Sequence, residues 1–365
     1  MTRPLVLYVH DLRGSGVVTN AIALARRMGS ERETILVAGY DQGLNRSVDV
    51  APARLEILST GVEPPRARLI AARKLRRFIR ETDAGPILSM GNFGHRTVLG
   101  ATLGTGVKTV FRISNEVGRS KANWGKNFSR RGWHRLFLAC ADRIVLVGRA
   151  LAEQPLFAAT MRNGRAAYIP NGIDIDRARA KANAPAPHHW LEDDGPPVVL
   201  TIGRIHPQKN LEGLIDGAAL ALTQRPLRLV IVGAGRPALL AKLKARAAAL
   251  GLGESLYFAG ETDNVFAWLT QARVFALTSH WEGSSTALLE ALAVGIPIVA
   301  SRQAGDAAHV LGQGKFGVLV DADDPASIAR GIVSQLENPV RPGNRVEDYR
   351  LERTHQQYIK LLRPL

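Results

Sequence analysis

A single cysteine, Cys140, stands in 365 residues, so the chain cannot close a disulfide on itself. That fits a reducing compartment. Long apolar runs are missing too: no stretch approaches the roughly 18 residues a spanning helix requires. The opening MTRPLVLYVHDLRG is short in apolar length and meets Asp11 early, so it is not expected to act as a signal peptide. No Ser–His–Asp order, nucleophile elbow or short-period repeat is present. Acid is scarce relative to base. The formal net charge is +16 and the isoelectric point near 10.6, a field that implies an anionic partner without choosing among nucleotide, acidic lipid and nucleic acid.

What remains is the balance of a folded chain, 46% hydrophobic and 22% charged, which excludes disorder. The length suits two domains, each with its own core. PLVLYVH, from Pro4, reads as a buried strand, DLRGSG as a glycine loop, and VVTNAIALARRM as an amphipathic helix. Strand and helix then alternate through ETILVAGY, RLEILST, PILSM, VKTVFRIS and DRIVLVG. NAPAPHHWLEDDGPP, from Asn183 to Pro197, reads as a loop. The alternation restarts with PVVLTIGRI, a helix expected over HPQKNLEGLIDGAALAL, then LRLVIVGAG and SLYFAG. Such alternation implies parallel sheets covered on both faces, one in each of two doubly wound α/β domains.

Two stretches are basic, the first an amphipathic helix and the second a loop without regular periodicity. RARLIAARKLRRFIR, from Arg66 to Arg80, carries Leu69, Ile70, Leu75, Phe78 and Ile79 at helical spacing among arginines. GRSKANWGKNFSRRGWHRLF interleaves Trp124, Phe128 and Trp133 with cations, including Arg130 and Arg131. Both compositions suit an anionic membrane surface, with single-stranded nucleic acid the less favoured partner and a plain solvated surface the ordinary alternative.

The chemistry concentrates in the second half. In GRIHPQKN, Gly203, Arg204, Lys209 and Asn210 follow a strand, at the sheet edge where open α/β folds bind ligands. An Arg and a Lys five apart can clamp two phosphates, or can be ordinary surface cations. HWEGSSTALLEALAVGIPIVAS, from His280 to Ser301, reads as strand end, turn, helix and strand. Glu282 lies before the helix and Glu290 about two turns in, with Gly283, Ser284, Ser285 and Thr286 between. Small residues at a helix start leave amides open to an anion. GAGRPA, from Gly233 to Ala238, matches the dinucleotide fingerprint, with Gly233 and Gly235 as its glycines and Glu261 following the next strand. That supports an NAD-type oxidoreductase, but a full strand–helix unit precedes it, which favours a structural turn. Asp174 and Asp176 form an Asp-x-Asp without neighbouring ligands, so no metal is expected there. His188 and His189 carry no ligand spacing.

Together GRIHPQKN, LVIVGAG, SLYFAG and SHWEGSSTALLEALAVGIPIVAS resemble the C-terminal half of retaining GT-B glycosyltransferases with the E-x7-E motif, the group 1 or family 4 enzymes. PNGID, the GSG after the first strand and the terminal YRLERTHQQYIKLL fit the same family. The resemblance implies an α/β fold of GT-B architecture: two doubly wound Rossmann-like domains facing across a cleft, with the C-terminal helix crossing back to the first. Residues 1–170 plus a C-terminal helix at 345–365 would form the acceptor-binding domain, and 171–344 the sugar-nucleotide-binding domain.

By the same resemblance Arg204 and Lys209 hold the donor diphosphate, Glu290 the ribose diol and Glu282 the transferred sugar. Gly203, Gly283, Ser284 and Ser285 would line the donor, and Gly14 and Gly16 would approach its diphosphate. In FRISNEVG the resemblance places Arg112, Ser114, Asn115 and Glu116 where many members carry a histidine, with Asn115 a catalytic candidate. Arg112, Glu116 and His95, of SMGNFGH, are candidates for the acceptor side. Ser284 and Ser285 replace a larger residue usual in the family. The implied activity is retaining, metal-independent transfer from a nucleotide-diphosphate sugar, uridine-linked by expectation, to a hydroxyl of a glycan or lipid-linked acceptor. The nucleotide sugar is a co-substrate and no cofactor is expected. The expected location is cytoplasmic, peripheral on the inner face of the membrane. A non-catalytic basic adaptor for membrane or nucleic acid is the alternative from another class.

Overall fold

A computed structural model describes residues 3–13, 16–41, 48–59, 67–114, 132–133, 135–363 and 365. The chain divides into two compact units, residues 1–171 with 353–365, and residues 172–352.

The first unit holds seven parallel strands: β1 (Leu5–Val9), β2 (Thr34–Ala38), β3 (Arg54–Ile57), β4 (Ile87–Ser89), β5 (Thr109–Ile113), β6 (Arg143–Leu146) and β7 (Ala166–Tyr168). Their order is β3-β2-β1-β4-β5-β6-β7. Alternation along each strand feeds two cores, as the two-residue side-chain period requires. Leu5, Leu7 and Val9 turn to one face, against Val18, Leu24 and Met28 of helix Gly16–Gly29. Val6 and Tyr8 turn to the other, against Leu75, Phe78, Phe111 and Phe137. The last helix, Leu351–Leu362, brings Tyr358 and Leu362 into the first of these cores.

The chain rejoins this unit at Arg353, later than the 345 of the sequence-based division. The reason is Arg345 in the preceding turn Gly343–Tyr349. Its guanidinium donates to the carbonyls of His309 and Val310, at 2.9 and 2.8 Å, which ties the turn to the second unit.

The second unit has six parallel strands: β8 (Val198–Ile202), β9 (Arg228–Val232), β10 (Leu256–Gly260), β11 (Val274–Leu277), β12 (Ile298–Ser301) and β13 (Val318–Val320), in the order β10-β9-β8-β11-β12-β13. Helices Leu211–Leu222 and Pro325–Glu337 cover one face. They approach closely because Gly217 has no side chain: a Cβ there would lie 2.6 Å from Ile328 Cγ2. Helix Thr286–Val294 packs on the other face through Leu288, Leu289 and Leu292. From β8 the chain runs outward through β9 and β10, then returns to β11 on β8's other side. The carboxyl ends of β8 and β11 therefore flank a topological switch point, where open α/β sheets place their ligands.

Candidate functional site

Both strings singled out by sequence meet at this switch point. β8 ends at Ile202, and Gly203 follows with φ +149°, where a Cβ would lie 2.8 Å from Lys209 Cε. A side chain at 203 would push the lysine away. The helix expected from His206 starts at Leu211 instead. Pro207–Lys209 forms a single tight turn, and Asn210 takes φ +51° before the helix begins. The Asn210 amide holds that conformation: its oxygen accepts from Gly213 N at 3.2 Å and its nitrogen donates to Ala322 O at 2.7 Å. This break is what folds Lys209 back over Gly203.

From the β11 side, His280 N donates to Gln208 O at 2.9 Å, and Thr278 Oγ1 reaches Lys209 O at 3.3 Å. Lys209 Nζ lies 2.7 Å from Glu282 Oε1. The same oxygen accepts from Ser279 Oγ at 2.8 Å, while Glu282 Oε2 accepts from Gln208 Nε2 at 3.2 Å. Glu282 is 8% exposed, so its charge is both paired and hydrogen-bonded, as a buried carboxylate requires. The end of β12 and the loop after it support the glutamate. Ser301 Oγ donates to Ser279 O at 2.6 Å, and Gly305, at φ +58°, packs where a Cβ would stand 2.4 Å from Glu282 O.

Ser285 caps the helix, its hydroxyl accepting from Leu288 N. Gly283 and Ser285 are buried and Ser284 is partly exposed. Since the helix opens at Thr286, Glu290 sits a little over one turn in, closer to the helix start than the two turns expected. Burial pushes the Glu290 carboxyl up to about 7, with nearby Lys209 acting in the opposite direction. Arg204 is exposed and forms no side-chain bond among the described residues. The His206 imidazole is held below its ordinary pKa by burial first, then by Arg204 and Arg236. The edge is therefore a cationic field with two carboxylates set into it.

Other candidates find structural places. Gly233 has φ +138°, and its Cβ would meet Gly203 O at 2.1 Å; Gly235 lies as tightly against Ile205. These glycines let neighbouring strand ends touch, and Glu261 stands exposed beyond β10. Asp174 caps helix Ile175–Ala182 through Arg177 N, and Asp176 pairs with Arg350 at 3.1 Å. Among the described residues no group of three or more metal-ligating side chains occurs.

Two acceptor-side candidates are buried within the first unit, which an expectation of surface contact did not foresee. His95 is 1% exposed, packed edge-on against Phe111 and Phe137, with Nδ1 2.7 Å from Ser89 Oγ. It is a core residue. Arg112 is 2% exposed: it donates to Met90 O at 2.9 Å, to Tyr358 Oη at 3.0 Å and to Asn171 Oδ1. It pins the last helix and the end of the first unit's main segment, and does not reach the surface. Gly14, Asn115 and Glu116 lie outside the described residues, as do Arg130 and Arg131. Gly16 is exposed at the first turn of its helix. Sequence reasoning missed Gln208, Ser279 and Arg236. The first two sit inside the strings already singled out, but only the fold shows that they orient Glu282.

Residues 186–352 match the family model described as glycosyl transferases group 1. Over 172 residues the chain is 31% identical to the N-acetylgalactosamine-N,N'-diacetylbacillosaminyl-diphospho-undecaprenol 4-alpha-N-acetylgalactosaminyltransferase of Campylobacter jejuni, covering 46% of this chain and 43% of that one. Over 218 residues it is 33% identical to a D-inositol 3-phosphate glycosyltransferase of Acidothermus cellulolyticus, covering 55% and 47%. The chain thus spans about half the length of the curated relatives it matches. In fold it is similar over 100% of both chains to Anabaena HepE solved in complex with UDP and glucose, with TM-score 0.84 at 18% identity. It is likewise similar to WaaG, a glycosyltransferase involved in lipopolysaccharide biosynthesis, with TM-score 0.72 at 14% identity over 98% of this chain and 99% of that one. The architecture is GT-B: two Rossmann-like units, with the last helix returned to the first.

Proposed function

We propose, from the match of residues 186–352 to the family model described as glycosyl transferases group 1, that the chain moves a sugar from a uridine-diphosphate sugar to a hydroxyl of a glycan or lipid-linked acceptor, with retention and without a metal. The observation that carries the reading is the arrangement at the β8/β11 switch point. Lys209 and Glu282 are locked together beside exposed Arg204, with Glu290 one turn into the adjoining helix.

Breaking a glycosyl phosphate builds negative charge on the departing diphosphate. Arg204 and Lys209 are donors set in advance at one sheet edge, and losing one such donor costs about 3–4 kcal/mol of barrier. That supply of positive charge makes a metal unnecessary for leaving-group departure. Glu290, once ionised, accepts from the ribose diol, and Glu282 takes the sugar hydroxyls. Both carboxylates are then engaged in binding, which leaves none for the paired-carboxylate scheme of hydrolases. Attack on the face vacated by the diphosphate follows, with a diphosphate oxygen taking the acceptor's proton. The similarity in fold to HepE, solved with UDP bound, supports the choice of nucleotide. The diphospho-undecaprenol in the Campylobacter relative's name supports a lipid-linked acceptor. Among the described residues no helix is long and apolar enough to cross a membrane.

The test is transfer measured with Lys209→Ala and Glu290→Ala. Each variant is expected to lose most activity; Glu290→Ala should still melt near the parent, whereas Lys209→Ala should melt lower because it leaves Glu282 without its cation, so its UDP thermal shift is compared as well. Near-normal rates in both would end the proposal, and tight NAD binding without UDP binding would revive the oxidoreductase reading.

A further inference from the structure

β8 and β9 run on side by side past Ile202 and Val232. Ile205 bridges Gly235 in parallel, with Ile205 N donating to Ala234 O at 2.8 Å, and a Cβ on Gly235 would stand 2.4 Å from that of Ile205. Positions 205 and 235 therefore share a face. The next pair is His206 and Arg236, both on extended backbone, with φ and ψ of −148° and 146° for the first and −67° and 136° for the second. Side chains alternate along extended backbone, so this pair turns to the opposite face. Ile205 points into the core beneath helix Leu211–Leu222. His206 and Arg236 point to the side that carries helix Thr286–Val294, on which Glu290 sits.

What the pair can offer a ligand is one-sided. His206 Nδ1 accepts from Gln208 N at 3.2 Å. Burial, then Arg204 and Arg236, hold the imidazole below its ordinary pKa. The ring is therefore neutral with its proton on Nε2, which leaves Nε2 a donor. Arg236 stands before helix Pro237–Ala249 without capping it, and forms no side-chain hydrogen bond or ion pair among the described residues. A guanidinium donates and never accepts.

Both side chains are exposed, and so are Ala234 and Gly235 beside them. Those two residues are small, so a flat ring can approach the strand ends next to the two donors. The surroundings are cationic as well: the charges acting on His206 are Arg204 and Arg236, with no carboxylate among them. Only an acceptor-bearing ligand fits such a place.

We propose that His206 and Arg236 read the nucleobase of the donor, and select a base that presents a carbonyl oxygen, uracil or guanine, over one that presents an amino group there, cytosine or adenine. The inference rests on the transfer reading, which gives the diphosphate to Arg204 and Lys209 and the ribose to Glu290. A nucleoside held from those residues has the β9 end of the sheet edge left for its base, and His206 and Arg236 stand there on Glu290's side of the sheet. A carbonyl oxygen accepts from both of them. An amino group in its place would turn hydrogens toward two donors and a positive charge, and lose both bonds. The arginine of GAGRPA thus serves the ligand, while its glycines serve packing.

The experiment is calorimetric titration of the full chain with UDP, CDP, GDP and ADP. UDP against CDP, and GDP against ADP, exchange the carbonyl for an amino group at constant ring size. UDP is expected to bind at least roughly tenfold more tightly than CDP, and GDP more tightly than ADP. Arg236→Gln, which can donate or accept, should narrow the UDP-to-CDP ratio, and Arg236→Glu, which accepts only, should reverse it. His206→Asn keeps an oxygen for Gln208 N while withdrawing the Nε2 proton, and should narrow the ratio too. A merely structural role would move both affinities together. Equal parental affinity for UDP and CDP would overturn the inference. So would Arg236 variants that weaken both nucleotides alike, the result for an arginine that serves only the diphosphate. Equal affinities with sugar transfer intact would sink this inference alone, whereas binding of no nucleotide would sink the transfer reading along with it.

Discussion

Lys209 and Glu282 are 73 positions apart in sequence, yet Nζ and Oε1 stand 2.7 Å from each other where β8 and β11 end. The glutamate is not the lysine's property alone, because Ser279 and Gln208 also donate to it. On the proposed reading a diphosphate drawing on the ammonium would compete with Glu282, and the neutral partners Ser279 and Gln208 would hold the glutamate in place.

On the proposed reading Ser279 is a positioning residue. Ser279→Ala removes a hydrogen bond to an ionised group, worth about 1.5–3 kcal/mol. We expect kcat to fall at least roughly tenfold with KM for the nucleotide sugar less affected, and Ser279→Thr to restore part of the loss. A change in KM alone would assign the serine to binding.

Glu290 should impose opposite pH dependences on stability and on binding. Its folded pKa of about 7 lies above the ordinary 4.5, so folding favours the protonated form. Its contribution to stability is present below about 4.5 and is lost as pH rises to about 7. Nucleotide affinity should rise over that window, because the ribose diol needs a carboxylate to donate to. Melting and UDP titration across pH check both, and Glu290→Gln should flatten each curve.

Gly233→Ala tests whether the GAGRPA string serves packing or a dinucleotide. The new Cβ would meet Gly203 O at 2.1 Å on a backbone with φ +138°, at a cost of about 3 kcal/mol. We expect a large loss in denaturant midpoint and reduced UDP affinity through displacement of the adjacent Gly203 and Lys209. NAD should give no thermal shift in either protein.

Arg112 can be assigned by separating stability from rate. Arg112→Met removes three buried hydrogen bonds of a charged group and should cost more than about 4 kcal/mol, whereas Tyr358→Phe removes one and should cost about 1.5–3 kcal/mol. Urea denaturation measures both. An unchanged midpoint with a large drop in kcat would return Arg112 to the acceptor side.

The parallel sheets were legible because their strands are short apolar runs between helical patterns, and each run became a strand facing two cores. The places of Arg204, Lys209 and Glu282 were legible because each follows a strand end closely, where topology fixes the neighbourhood, and that of Glu290 because it lies on the helix that comes next. Local breaks were harder to see. Nothing in HPQKNLEG announces that Asn210 will take φ +51°, since that depends on Ala322, more than a hundred positions away. Burial was harder still. His95 and Arg112 have the side chains of an active site, and only the closing of Phe111, Phe137 and Tyr358 around them makes them interior. Sequence distance hides such partners.

The placement of Tyr358 and Leu362 beneath the first sheet has a consequence for biosynthesis. The first unit's strands leave the ribosome early, but part of their covering is encoded after the whole second unit. Until Leu351–Leu362 emerges, the surface around Arg112 must wait partly uncovered, and the nascent chain is most vulnerable to chaperone capture and proteolysis during that interval.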